Sequence, residues 1–72
     1  PNQPQLEYYQ TDSQFYYKWN NVNENFVMPI DLLVNGLEQR VFPSQEFQSI
    51  DISKYATIEI MDWKFYVSSK KS

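Results

Sequence analysis

The sequence predicts an all-β fold, two antiparallel sheets packed as a sandwich, and three observations carry that reading. Apolar and polar residues alternate with a period of two in six separate stretches of the chain. Those stretches are filled by β-branched and aromatic residues, and no segment repeats apolar residues at three-and-four spacing for long enough to make a helix. Between two of them stands Asn35-Gly36, the pair that a tight hairpin turn requires.

The elements follow in chain order. Leu6 and Tyr8 flank Glu7, which predicts a first strand over 6–11. Asp12-Ser13 is short enough to be a tight hairpin leading to a second strand over 14–20. There Phe15, Tyr17 and Trp19 form an aromatic core face, opposite Gln14, Tyr16, Lys18 and Asn20. Asn20 to Asn25 holds four asparagines in six residues and reads as a turn region, with Phe26 and Met28 folding back as a plug at one end. Pro29 restrains Met28 to an extended form and opens a strand over 29–35, whose core face is Ile30, Leu32 and Val34. Asn35 and Gly36 both tolerate positive φ, so a type I′ turn should join that strand to 37–42. Further strands are expected over 46–52, 56–61 and 65–70, separated by Ser53-Lys54-Tyr55 and by Asp62-Trp63-Lys64. Seven short strands with regular turn signals point to a sandwich of immunoglobulin or fibronectin type III kind, with a small barrel as the competing architecture.

Length and composition set the bounds. A chain of 72 residues has apolar material for one core only. Residues 1–5, opening Pro1-Asn2-Gln3-Pro4, read as a linker, and 6–71 as one sandwich domain that is a piece of a larger protein. At ~0.05–0.15 kcal/mol per residue its stability should be about 4–10 kcal/mol. With no cysteine and no histidine, disulfides and the usual zinc sites are out of reach. Six Tyr, five Phe and two Trp supply bulk in their place. The net charge of −3, with Lys70-Lys71 the only basic cluster, argues against a nucleic-acid partner. No apolar run is long enough to span a bilayer.

Catalysis has little to work with. Ser13, Ser44, Ser49, Ser53, Ser68 and Ser69 have no histidine to activate them, and Lys54 would need burial to act as a base. Asp31 and Glu38 are candidate cross-strand neighbours on the Asn35-Gly36 hairpin, where two like charges point to an exposed face and not to a glycosidase pair. Asp51, Glu59 and Asp62 could in principle approach a calcium ion, but each sits at a polar strand phase or in a turn. Neither a cofactor nor a small-molecule substrate is expected on this chain.

What remains is the aromatic surplus. Tyr9, Tyr16, Trp63 and Tyr66 fall opposite the core phase or in turns. Such rings can lie under loops or against a neighbouring domain, anchor a separate partner, or stack on pyranose rings as a carbohydrate platform.

Several segments recur together in one known family. In order they are Tyr17-Lys18-Trp19-Asn20, Phe26-Val27-Met28-Pro29-Ile30, Val34-Asn35-Gly36, Pro43-Ser44-Gln45-Glu46-Phe47 and Phe65-Tyr66-Val67 before a basic end. The string, from about Phe15 to Lys71, resembles the β-sandwich domain that follows the catalytic domain in M1-family zinc aminopeptidases, most of all the shorter bacterial enzymes of Bacteroides type, where the sandwich comes last. Phe47 stands where that family has Trp. The resemblance implies a secreted or periplasmic parent whose zinc, His-Glu-x-x-His motif and Gly-x-Met-Glu-Asn loop lie in another domain. For this chain it implies a non-catalytic supporting role against the parent's catalytic domain. The reading from a different class is a free-standing carbohydrate-binding or adhesion module of fibronectin type.

Overall fold

The structure, a computed structural model, describes residues 3–61 and 68–72. Its strands are β1 (Gln5–Gln10), β2 (Gln14–Asn20), β3 (Ile30–Val34), β4 (Leu37–Val41), β5 (Gln48–Asp51), β6 (Ile58–Met61) and β7 (Ser68–Lys71). They form a four-stranded sheet in the order β5-β2-β1-β7 and a three-stranded sheet in the order β4-β3-β6. The chain is all-β, as its period-two pattern requires, and the two sheets make a small sandwich.

Each strand forms for a local reason. In β2 burial alternates strictly, with Phe15, Tyr17 and Trp19 turned into the core and their neighbours half-buried. Leu6 from β1 joins them from the same sheet, while Ile30 and Leu32 of β3 and Val41 of β4 meet them from the other. Val34 is half-buried against this cluster, as are Tyr8, Ile50, Ile52, Ile58 and Ile60. Tyr8, Phe15 and Tyr17 form a run of stacked rings, with centroids 5.8 and 6.2 Å apart. Burial at this position pushes the Tyr17 phenol above its ordinary value.

Trp19 ties the far end together. Its indole Nε1 donates to the Met28 carbonyl at 3.1 Å, and its backbone N–H donates to the Ser44 carbonyl at 2.7 Å. Phe26 meets the indole edge-on at 5.7 Å. The stretch between β2 and β3 therefore folds back as a plug, with Val22, Phe26 and Met28 packed on the core. A buried indole that finds an acceptor avoids the cost of a stranded N–H.

The turns obey their residues. Asn35 and Gly36 have φ of 52° and 82°, both positive, and Val34 pairs with Leu37, so this is the two-residue type I′ hairpin. At the first hairpin the Thr11 N–H donates to the Gln14 carbonyl at 2.8 Å, while neither Asp12 nor Ser13 adopts positive φ. Thr11 Oγ1 accepts from the Gln14 N–H at 3.0 Å and steadies that turn.

Several expectations need correction. Gln5, assigned to the linker, begins β1. The strand expected over 46–52 shrinks to Gln48–Asp51, because Pro43 to Phe47 carries the chain from one sheet to the other, with the Ser44 carbonyl bound to Trp19. The strand expected over 56–61 begins at Ile58, since Ala56 and Thr57 are committed to a turn and to Asn35. The sheets are not wholly antiparallel: β7 runs parallel to β1, in a register of Gln5 with Ser68 and Glu7 with Lys70. Parallel neighbours need a long crossover, and here almost the whole chain supplies it. Asp31 faces Arg40 and not Glu38, whose partner is Leu33. Asp31 is buried, only 7% exposed, and Arg40 Nε and Nη2 donate to its two carboxylate oxygens at 2.8 and 3.3 Å. Of the seventh expected strand, Phe65 to Val67 lie outside the described residues, as does the turn at Asp62-Trp63-Lys64.

Candidate functional site

The outward side of the four-stranded sheet gathers three aromatic residues that the core does not use. Tyr9 and Tyr16 are direct cross-strand partners, both half-buried, and their rings stack 4.5 Å apart at 12°. Phe47, from the crossing before β5, meets Tyr9 edge-on at 5.1 Å. The Lys18 ammonium sits 5.2 Å from the centroid of Phe47, within range of a cation–π attraction. Phe47 remains 40% exposed.

Polar groups frame this cluster. On the β5 side the Tyr16 hydroxyl donates to Gln14 Oε1 at 2.5 Å, and Gln14 Nε2 donates to Asp51 Oδ1 at 3.1 Å. On the other side Asn20 Nδ2 donates to Glu7 Oε1 at 2.8 Å, and the Ser72 hydroxyl donates to Glu7 Oε2. These two bonds, then the nearby Lys18 and Lys70, hold the Glu7 carboxyl below its ordinary value, against a smaller opposing effect of desolvation. The result is an aromatic centre with a fixed polar rim, the anatomy of a contact surface.

Of the four contact candidates, the structure brings Tyr9 and Tyr16 together, while Trp63 and Tyr66 lie outside the described residues. Phe47 belongs to the cluster although it was not among the four contact candidates. It lies inside the strand expected over 46–52, and counting back by twos from Ile50 and Ile52 places it opposite the core phase. That phase, together with its aromatic character, was the signal that could have found it. Among the described residues no three or more His, Cys, Asp or Glu side chains gather as a metal site, and no helix is long and apolar enough to cross a membrane.

No protein-family model matches this chain, and no curated protein or solved structure matches it either.

Proposed function

We propose that this chain is a non-catalytic β-sandwich domain, the C-terminal one of an M1-type zinc aminopeptidase, and that it packs against and supports the catalytic domain of its parent. The Tyr9–Tyr16–Phe47 cluster is the observation that carries this reading. Tyr9 and Tyr16 stack face to face, Phe47 meets Tyr9 edge-on with Lys18 over its ring, and the polar rim around them completes a surface for a partner. The alternative, a free-standing carbohydrate-binding or adhesion module, needs a flat ring face open to a pyranose, and the stack of Tyr9 on Tyr16 works against that. The two sheets, β5-β2-β1-β7 and β4-β3-β6, are compatible with the sandwich that the resemblance implies, with β7 placed in parallel beside β1.

With neither His nor Cys in the chain, the zinc belongs to the parent's catalytic domain, and the parent is secreted or periplasmic in this reading. The decisive experiment reads the open frame upstream of Pro1 and assays its full product. A His-Glu-x-x-His motif with a distant Glu, and zinc-dependent release of an N-terminal residue from an aminoacyl anilide, are expected. A frame lacking that motif ends the proposal. In the full product, changing Tyr9 and Phe47 together to Ser should loosen the docked sandwich and make the crossing between domains a site of limited proteolysis. Oligosaccharides added to the chain should leave its intrinsic fluorescence unchanged, whereas a saturable shift would favour the carbohydrate reading.

A further inference from the structure

The free edge of the three-stranded sheet is a second feature, independent of the aromatic cluster. β4 lies at that edge, with β3 on one side only. In the two-residue hairpin Val34 and Leu37 exchange backbone bonds, and bonded pairs then recur at every second residue. The Asn35 N–H points the other way, to the Thr57 carbonyl before β6, which fixes the same alternation. Leu37, Gln39 and Val41 therefore direct their N–H and C=O groups to β3, while Glu38 and Arg40 turn theirs to the open edge. Such an edge is a template for another strand unless something blunts it. β7 ends its own sheet with Lys70 and Lys71, whereas β4 contains neither Lys nor Pro, and Leu37 to Arg40 are all exposed.

Charges on an edge strand usually keep other strands away, but the order of these charges selects one partner. Two antiparallel copies of β4 can bond through their open edges in two-fold registers centred on Glu38, Gln39 or Arg40. Centring on Glu38 sets like carboxylates against each other, and centring on Arg40 sets like guanidinium groups together. Centring on Gln39 sets each Glu38 opposite Arg40 of the second copy and satisfies every outward N–H and C=O of Glu38 and Arg40. Arg40 holds Asp31 through Nε and Nη2, so its Nη1 remains for Glu38 of the second copy. The same register brings Leu37, 75% exposed, opposite Val41 of the second copy. Phe42, 59% exposed, comes to the Gly36 end of that copy.

We propose that β4 is a self-association edge: two copies of this chain pair β4 to β4, antiparallel about Gln39, and join their three-stranded sheets into one. The two-fold axis closes the assembly as a dimer. The contact is one strand wide, well below the ~1,600 Å² of a standard interface, so the dimer is weak, with Kd of about 0.1 mM. It leaves the Tyr9–Tyr16–Phe47 face free and stands apart from the aminopeptidase reading.

Sedimentation equilibrium of the chain between about 10 µM and 1 mM should show the average mass rising from one copy toward two. Added salt should weaken the association, because the Glu38–Arg40 pairs are exposed. Glu38→Lys, which sets Lys against Arg40, should weaken it about tenfold or more, with a dispersed ¹H–¹⁵N spectrum reporting an intact fold. The register has its own readout. The chain has no cysteine, so Gln39→Cys carries a single thiol. Across the axis two such residues form a non-hydrogen-bonded pair with Cα atoms about 4.5 Å apart, within disulfide reach. On mild oxidation this variant should cross-link much faster than Glu59→Cys, an exposed site on the opposite edge strand β6. A chain still monomeric at the highest concentration, a Glu38→Lys variant that associates as the parent chain does, or equal cross-linking of the two cysteine variants would each overturn the proposal.

Discussion

Two side chains show how much one residue's surroundings decide. Tyr55 has φ of 66° in the turn closed by the Ala56 N–H on the Ser53 carbonyl, and it is 87% exposed. Its one aromatic contact among the described residues is Lys54, whose ammonium lies 5.3 Å from the ring centroid. A bulky residue in the left-handed region costs about 1–2 kcal/mol, and glycine there costs about 0.5–1 kcal/mol in chain entropy, so Tyr55→Gly should stabilise by about 0.5 kcal/mol. In a domain of this size that raises Tm by about 2–4 °C; a fall in Tm would mean the ring does more than the Lys54 contact shows. Glu7 acts through pH. Its carboxyl is lowered by Asn20 and Ser72, so the folded state holds the ionised form more strongly than the unfolded chain does. That contribution is fully present above the unfolded value of 4.5 and is lost as pH falls through the lower folded value. Thermal melts of Glu7→Gln and the parent chain should therefore differ most near neutrality and converge in acid. A gap that stays constant from pH 7 to strong acid would show that Glu7 does not titrate as its partners require.

At the scale of elements, the hairpin of β3 and β4 is the clearest case of a turn setting a register. Gly36 has open space around it, so the cost of a side chain there is backbone strain alone. Gly36→Val should destabilise by more than ~1 kcal/mol in urea unfolding, and an unchanged midpoint would remove the type I′ turn from the account. The same register places Asp31 against Arg40 and leaves Leu33 between two glutamates. Leu37 shows where a strand pattern stops being sufficient. It shares the core phase with its partner Val34, yet it is 75% exposed. It sits at the tip of the hairpin on an edge strand, beyond the cover of the opposite sheet. Phase states which way a side chain points, but burial also needs something to point at.

For the whole molecule, protection should follow position in the two sheets. β1, β2 and β3 are interior strands, with a neighbour on each side, whereas β4 and β5 lie at sheet edges. Amide hydrogen exchange should be slowest in β2 and β3 and markedly faster in β4 and β5. If β5 outlasted β2, the assigned order of the four-stranded sheet would be wrong. The strand count, the core face Phe15, Tyr17, Trp19, Ile30, Leu32 and Val34, and the Asn35-Gly36 turn were all legible in the sequence. They depend on alternation and on backbone preferences that act over a few neighbouring residues. The partners of strands distant in sequence were not legible. That β7 lies parallel to β1, that Asp31 is buried against Arg40, and that Phe47 closes over Tyr9 all depend on surfaces brought together from far along the chain. Local periodicity assigns a face to each strand without naming the strand beside it. By itself, then, the sequence determined an all-β chain with a defined aromatic core and none of the histidine or cysteine that most catalytic or zinc sites need. Only the tertiary structure decided which residues share its two outer faces, because those faces are assembled by pairing between strands that no local pattern connects.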